Sequence, residues 1–396
     1  MNHLFRHVIP SLFIGCAVAS VAAAAIEEKA SQVITQVQPQ AAGNHQHVHA
    51  LGPSEPNMQE RATLLKRAEA ALAAENVNDA AQAFERAGLI LHAADAEVGL
   101  VRTYMQAGEY KQALSFIAHT AGAHLSNAEG AAFYAWLLHI GGQGVIAKRL
   151  LSEATVRLPG NPLLAAVRQQ LRSPFPLAAG QLLKAPTRFA PYGSLSGLAS
   201  TARVVGTGVL VDHGRRVLVP IATLTRSPDV WVRNGLGQMT KAIVEHRMMR
   251  EKIAVLRLVQ PLPTVSEMDI PARDAFPGSI AYSIEYQRSP NAMPSWPILT
   301  SGFVGQPVGN STQRKLGITL PNGPRGGPAF DAAGRFIGIA VPGSNGVDQL
   351  VCASRLRTGV GDILGRPMAS PSDPHVPVDQ IYESAMRIAV QIIATR

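Results

Sequence analysis

Cysteine is almost absent: the 396 residues hold two, Cys16 and Cys352. That excludes a disulfide scaffold and a structural zinc site built from thiolates. Aromatic residues make up only 5%, and no basic run is interleaved with them. Base-stacking surfaces need such aromatics, so the net charge of +9 is not read as a nucleic-acid signature. Charged residues stand at 16%, below the roughly 25% of an ordinary soluble protein. Long apolar runs are missing after residue 25, so no membrane span of about 18 residues or more is expected in the mature chain. Chemistry-bearing short motifs are missing too: there is no P-loop, no dinucleotide fingerprint, no Gly-x-Ser-x-Gly elbow and no His-Glu-x-x-His. No cofactor is expected. What is present is a 46% hydrophobic chain, enough to bury a sizeable core in two or three domains.

Residues 1–25 read as an address. Arg6 precedes an apolar run from Val8 that ends in Ala23-Ala24-Ala25, a small-residue cleavage pattern, and Ile26-Glu27-Glu28-Lys29 then turns polar. The run is short for a spanning helix, which needs about 20 residues, and it contains Pro10. A cleaved secretory signal is expected, and with it a soluble periplasmic or secreted protein of a Gram-negative bacterium. Lipidation at Cys16 is the alternative, since Ile14-Gly15-Cys16 faintly resembles a lipobox.

Residues 26–57 are rich in Gln, Ala, His and Pro and are expected to form a flexible linker. Within it, His45, His47 and His49 alternate, so an extended chain would point all three to one side; they are weak candidates for a metal. From 58 to 172 the pattern is helical and repetitive. Ala80, Phe84 and Ala87 are followed 33 residues later by Ala113, Ile117 and Thr120, and 34 residues after that by Ala147, Leu151 and Ala154. Small residues at fixed places let helix pairs approach closely and stack. The stretch resembles tetratricopeptide repeats, about three of them, although the usual early Trp and Leu-Gly pair are absent. A plain Ala-rich helical bundle is the other reading. Residues 173–199, with four prolines, mark a second linker.

Beyond residue 200 the period changes to that of short strands: Val209–Asp212, Val217–Leu224, Val230–Arg233, Ala242–Glu245, Ile253–Leu258, Ser279–Tyr286, Ile298–Val304, Leu316–Leu320, Phe336–Val341 and Gln349–Ala353. Turn residues separate them, which predicts an all-β barrel or sandwich over 200–365. Residues 366–396 are expected to be a Pro-rich linker and a C-terminal helix near Val378–Thr395, with Ile381, Ala385, Ile388 and Ile392 as its packing stripe.

Five segments of this region stand in a recognisable order: Gly206-Thr207-Gly208-Val209, Ile253–Leu258, Phe276–Tyr282, Thr300-Ser301-Gly302-Phe303-Val304, and Gly323-Pro324-Arg325-Gly326-Gly327-Pro328 followed by Gly334–Ile339. Together they resemble the trypsin-like serine proteases, most closely the HtrA-type bacterial branch. The resemblance implies a double barrel and a Ser-His-Asp triad. Ala222 stands where the His would fall, Lys252 where the Asp would fall, and Arg325 where the Ser would fall. Without those groups the proton relay of the triad cannot operate, and an Arg side chain stays protonated and is no nucleophile. The expectation is therefore a catalytically inactive, exported protease-like protein with no PDZ module after the barrel. It would serve as a binding, scaffold or regulatory module. The alternative is an active envelope serine endopeptidase with a non-standard site.

Candidate binding residues are Arg325, Gly326 and Gly327, with Arg325 able to hold a carboxylate bidentately. Thr300, Gly302 and Val304 are candidates for taking up an extended peptide by strand addition. Residues 173–396 hold 23 Lys+Arg against 14 Asp+Glu, while 26–172 hold 12 against 13, so the positive excess lies in the barrel half. That points to an envelope protein or peptide, an acidic one among the candidates, and away from nucleic acid.

Overall fold

The computed structural model describes residues 54–172, 198–224, 229–235, 237–262, 268–293, 295–309, 313–320, 326–343, 346–365 and 375–395. The signal-like segment with Cys16, the histidines at 45, 47 and 49, most of the 173–199 linker and Arg325 lie outside them.

Seven helices come first among the described residues: α1 (Glu55–Ala73), α2 (Val77–Ile90), α3 (Ala94–Ala107), α4 (Tyr110–Ala123), α5 (Ala128–Ile140), α6 (Gly144–Arg157) and α7 (Pro162–Gln170). The first begins at Glu55, inside the expected 26–57 linker. Pro56 is compatible with this start, because a proline in the first turn of a helix has no hydrogen bond to lose. The repeated small residues do what their spacing predicts. Ala80, Phe84 and Ala87 on α2, Ala113, Ile117 and Thr120 on α4, and Ala147, Leu151 and Ala154 on α6 are all buried. Each of these helices packs against the one before it. Gly99 on α3 is what admits Phe84: a Cβ there would lie 2.2 Å from the Phe84 ring. Trp136 and Phe133 of α5 fill the centre of the largest helical core cluster. No described helix is long and apolar enough to cross a membrane.

Among the described residues twelve strands follow and close into two antiparallel barrels. The first contains β1 (Arg203–Val211), β2 (Arg216–Pro220), β3 (Val230–Asn234), β4 (Met239–Met248), β5 (Ile253–Leu258) and β12 (Ala389–Ala394) in the order β1-β12-β3-β4-β5-β2. The second contains β6 (Ile280–Glu285), β7 (Ile298–Pro307), β8 (Arg314–Gly317), β9 (Pro328–Phe330), β10 (Phe336–Val341) and β11 (Gln349–Cys352), ordered β10-β11-β8-β7-β6-β9. Two further helices, α8 (Ala353–Val360) and α9 (Val378–Ile388), flank the last connection. β1, β10 and β12 are buried along nearly their whole length. β4 instead exposes much of one face, as its mixed sequence requires. One core cluster runs continuously from Val209, Leu218 and Ile392 to Phe336, Ile339 and Leu356, so the two barrels share an interior.

The helix expected up to Thr395 stops at Ile388, and the next six residues are the strand that closes the first barrel. Its residues pair with β1 from Arg203↔Ala394 to Val209↔Ala389 and with β3 from Val230↔Ala394 to Asn234↔Val390. The β-branched residues Val390, Ile392 and Ile393 fit a pleated surface covered on both faces. The barrel therefore extends past the expected boundary at 365 and takes its sixth strand from within the expected C-terminal helix.

The helical region rests directly on the barrels. The Tyr110 ring meets Trp296 edge-on, with centroids 5.1 Å apart, and the Trp296 indole N–H donates to the Ile140 carbonyl at 3.2 Å. Around them Lys111 pairs with Asp379, its backbone N–H donates to the Glu383 carboxylate at 2.7 Å, and Arg387 lies 3.5 Å from Glu109. The ring-and-hydrogen-bond anchor at Trp296 is central, whereas the Lys111–Asp379 pair is exposed to solvent and contributes little. Trp296→Ala is expected to weaken this docking by about 2 kcal/mol or more, the usual cost of truncating an aromatic anchor. Scanning calorimetry should then show separate transitions for helices and barrels where the parent shows one. A single unshifted transition would place the coupling elsewhere.

Candidate functional site

β2 is carried by Val217, Leu218 and Val219 in the first-barrel core and ends at Pro220. The chain then makes one 3₁₀ turn, Ile221–Thr223, which buries Thr223 and presents Ala222 on the surface. The Ile221 N–H donates to the Lys252 carbonyl at 2.8 Å, tying this turn to the one that precedes β5. Lys252 sits at φ +57°, a left-handed conformation uncommon for a side-chain-bearing residue, and its side chain is exposed. Its neighbour Glu251 is turned the other way and is held by Arg355 on α8, at 2.7 Å.

The third locus arrives from the second barrel. Gly326 adopts φ +99° and abuts Pro220: a Cβ there would lie 2.1 Å from Pro220 Cδ and 2.5 Å from the Thr207 carbonyl oxygen. Only glycine meets both demands. Gly327 is equally hemmed in, with its Cβ position 1.9 Å from the Ile284 carbonyl oxygen, and its N–H donates to the buried Glu285 carboxylate at 2.8 Å. One residue further on, the Tyr286 N–H donates to Thr207 Oγ1 at 2.8 Å, a second link between the barrels. Ala222, Lys252, Gly326 and Gly327 are thus gathered at the barrel junction: Ile221, next to Ala222, bonds Lys252, and Gly326, next to Gly327, abuts Pro220. Arg325 lies just outside the described residues.

Beside Ala222 opens a cavity of about 340 Å³ lined by Val204, Val205, Thr223, Arg203 and Arg288 among others. That is within the size range of small-ligand or side-chain pockets, about 300–1,000 Å³. Arg288 is fixed by its Nε–H donating to the Val205 carbonyl at 3.1 Å. The two guanidinium groups give the cavity a positive lining suited to a carboxylate. Neither arginine was identifiable from sequence: they belong to different barrels and only the fold places them together. His213 sits in the β1–β2 turn, at the other end of β2 from Ala222, and His246 lies exposed on β4 opposite Val255. Among the described residues, Ser354 donates to Asp274 Oδ2 at 2.6 Å, Ser289 donates to Asn291 Oδ1 at 2.8 Å, and Ser295 Oγ accepts from the Gln391 side-chain amide at 3.1 Å. The buried Cys352 thiol is pushed up to about 11 by its surroundings, above all by burial, and stays protonated at neutral pH.

Strand addition at Thr300–Val304 does not fit the fold. β7 is an inner strand of the closed second barrel, with Thr300 and Gly302 paired to Ser283 and Ala281 of β6. On its other side Phe303 and Val304 pair with Gly317 and Leu316 of β8, and Val304 is fully buried. The expected free edge is occupied by the chain's own strand, because the barrel closes.

No family model and no curated protein sequence matches the chain. Among solved structures it is similar to the MamO protease domain from Magnetospirillum magneticum in its apo form. That match has 16% identity, covers 40% of this chain and 95% of that one, and has a TM-score of 0.32. It is also similar to the HtrA-type protease AlgW with decapeptide, at 18% identity, covering 40% of this chain and 51% of that one, with a TM-score of 0.35.

Proposed function

We propose that this chain is an exported, catalytically inactive trypsin-like protein of the bacterial envelope. In this reading it binds a protein or peptide of acidic character at the barrel junction, and its helical repeats serve as a second docking module. The observation that carries the reading is Ala222. It sits on the surface turn that borders an arginine-lined cavity, where the resemblance calls for a histidine. A methyl group cannot accept a proton, and the two arginines that line the cavity, Arg203 and Arg288, make it a receptor for carboxylates.

The experiment combines an activity probe with a binding measurement. A fluorophosphonate probe is expected not to label the purified protein, and casein is expected to survive incubation with it. A fluorescent Asp/Glu-rich peptide is expected to bind, and Arg203→Glu with Arg288→Glu should weaken binding at least tenfold, about 1.4 kcal/mol. Binding should also fall as salt rises. Labelling that a single Ser→Ala change abolishes would instead establish an active endopeptidase. Peptide affinity indifferent to both arginines would remove the cavity from the binding surface.

A further inference from the structure

The helical region contains a cluster of ionisable side chains that plays no part at the barrel junction. Glu97, on the first turn of α3, is buried, with a side chain only 7% exposed. Around its carboxylate stand three imidazoles. His92 comes from the connection between α2 and α3, with Nε2 2.6 Å from Glu97 Oε1. His124, immediately after α4, has Nε2 3.4 Å from Glu97 Oε2. His119, on α4, has Nε2 3.9 Å from Glu97 Oε1. The His92 and His124 rings lie 5.0 Å apart, and those of His92 and His119 6.0 Å apart.

Donor atoms of His92, Glu97 and His124 all lie within 4.8 Å of one another. A buried carboxylate is costly unless both oxygens are satisfied. Yet Glu97 Oε2 and His124 Nε2 are both buried without a hydrogen-bond partner. They face each other at 3.4 Å, close to the spacing of roughly 3.3 Å that two ligands of a tetrahedral ion would have at metal–ligand distances of about 2.0–2.1 Å.

We propose that His92, Glu97 and His124 form a binding site for a single divalent transition-metal ion of the zinc class, with His119 within reach as a fourth ligand. Imidazole and carboxylate are the ligand types such ions select in the absence of thiolate. The ion would neutralise the buried carboxylate and staple the α2–α3 connection to the α4 terminus. That fixes the stacking of successive helix pairs. His92 and His119 are exposed by about 60%, so the ion has an entry path and its outer side stays open to water or to a ligand from a docked protein.

The test is calorimetric titration of ZnCl₂ into tag-free, chelator-stripped protein in which His45, His47 and His49 are replaced by Ala, so that the upstream histidines contribute no heat. One zinc ion per chain is expected to bind with sub-micromolar dissociation constant and to raise the melting temperature by several degrees. His92→Ala, an exposed substitution that leaves packing intact, and the near-isosteric Glu97→Gln should each weaken binding at least tenfold. Circular dichroism should show unchanged helix in both. Absence of binding, or binding that both variants retain, would overturn the proposal. Copper or nickel binding with the same residue dependence but no zinc binding would overturn its zinc-class assignment.

Discussion

Deleting residues 389–396 is expected to abolish folding of the first barrel. β12 lies between β1 and β3, so its loss leaves two long strand edges unpaired and opens the barrel. It also removes Val390, Ile392 and Ile393, all fully buried. At about 1.5–3 kcal/mol per large aliphatic side chain, that is about 5–9 kcal/mol, against a typical whole-domain stability of about 5–15 kcal/mol. The shared core carries the damage into the second barrel, because Ile392 belongs to the same cluster as Phe336 and Ile339. Ile392→Asp, which places an unpaired carboxylate in that cluster, should act the same way. Soluble yield, strand content by circular dichroism and the urea midpoint are the measurements. A truncated chain that unfolds cooperatively at the parent midpoint would show that β12 is dispensable.

Gly326→Ala is expected to destabilise the protein by about 3 kcal/mol or more. Left-handed backbone costs an ordinary residue about 1–2 kcal/mol, and forcing a methyl group into a packed junction adds about 1–3 kcal/mol. Here the obstacles are Pro220 and the Thr207 backbone, neither of which can swing aside like the end of a flexible side chain. Gly334→Ala is the comparison. Gly334 has a similar left-handed φ of +73°, but its nearest atom stands 3.7 Å from the would-be Cβ. It should lose only the conformational part. Equal shifts in the urea midpoints of the two variants would mean that the contact with Pro220 contributes nothing.

Much of this architecture was legible because it rests on local period. Ten strands were marked by short β-branched runs between turn residues, and each has a counterpart in the structure. The two strands that were missed are informative. β9 is three residues long and follows Gly326-Gly327, so it offers no alternation to read. β12 was concealed by Ile381, Ala385, Ile388 and Ile392, whose spacing mimics a helical stripe across the α9–β12 boundary. No Gly or Pro marks the change at Ala389, and tertiary pairing with β1 and β3 decides it.

The gathering of Ala222, Lys252, Gly326 and Gly327 could be anticipated from the order of the glycine-rich segments, since tight backbone contacts leave glycines as traces. The arginines beside Ala222 and the His92, Glu97 and His124 group left none. Their members lie on different elements at irregular spacing, and no single helix face or strand face unites them. The strand-addition reading of β7 failed for the same reason in reverse: a strand's local pattern does not say whether both its neighbours are present.

The route of the chain also fixes an order of events during synthesis. All six strands of the second barrel lie between β5 and β12, so that barrel is nested inside the sequence of the first. As the polypeptide emerges from its N-terminal side, the helix pairs can assemble at once, being local in sequence. The second barrel has all its strands by Cys352, whereas the first must wait, with β1 and β3 exposed, until residue 394 is available. A chain threaded outward through a narrow channel would pass through an interval with one finished barrel and one open one. Such open edges invite pairing with other chains, which makes this interval the point at which a holding chaperone would matter most.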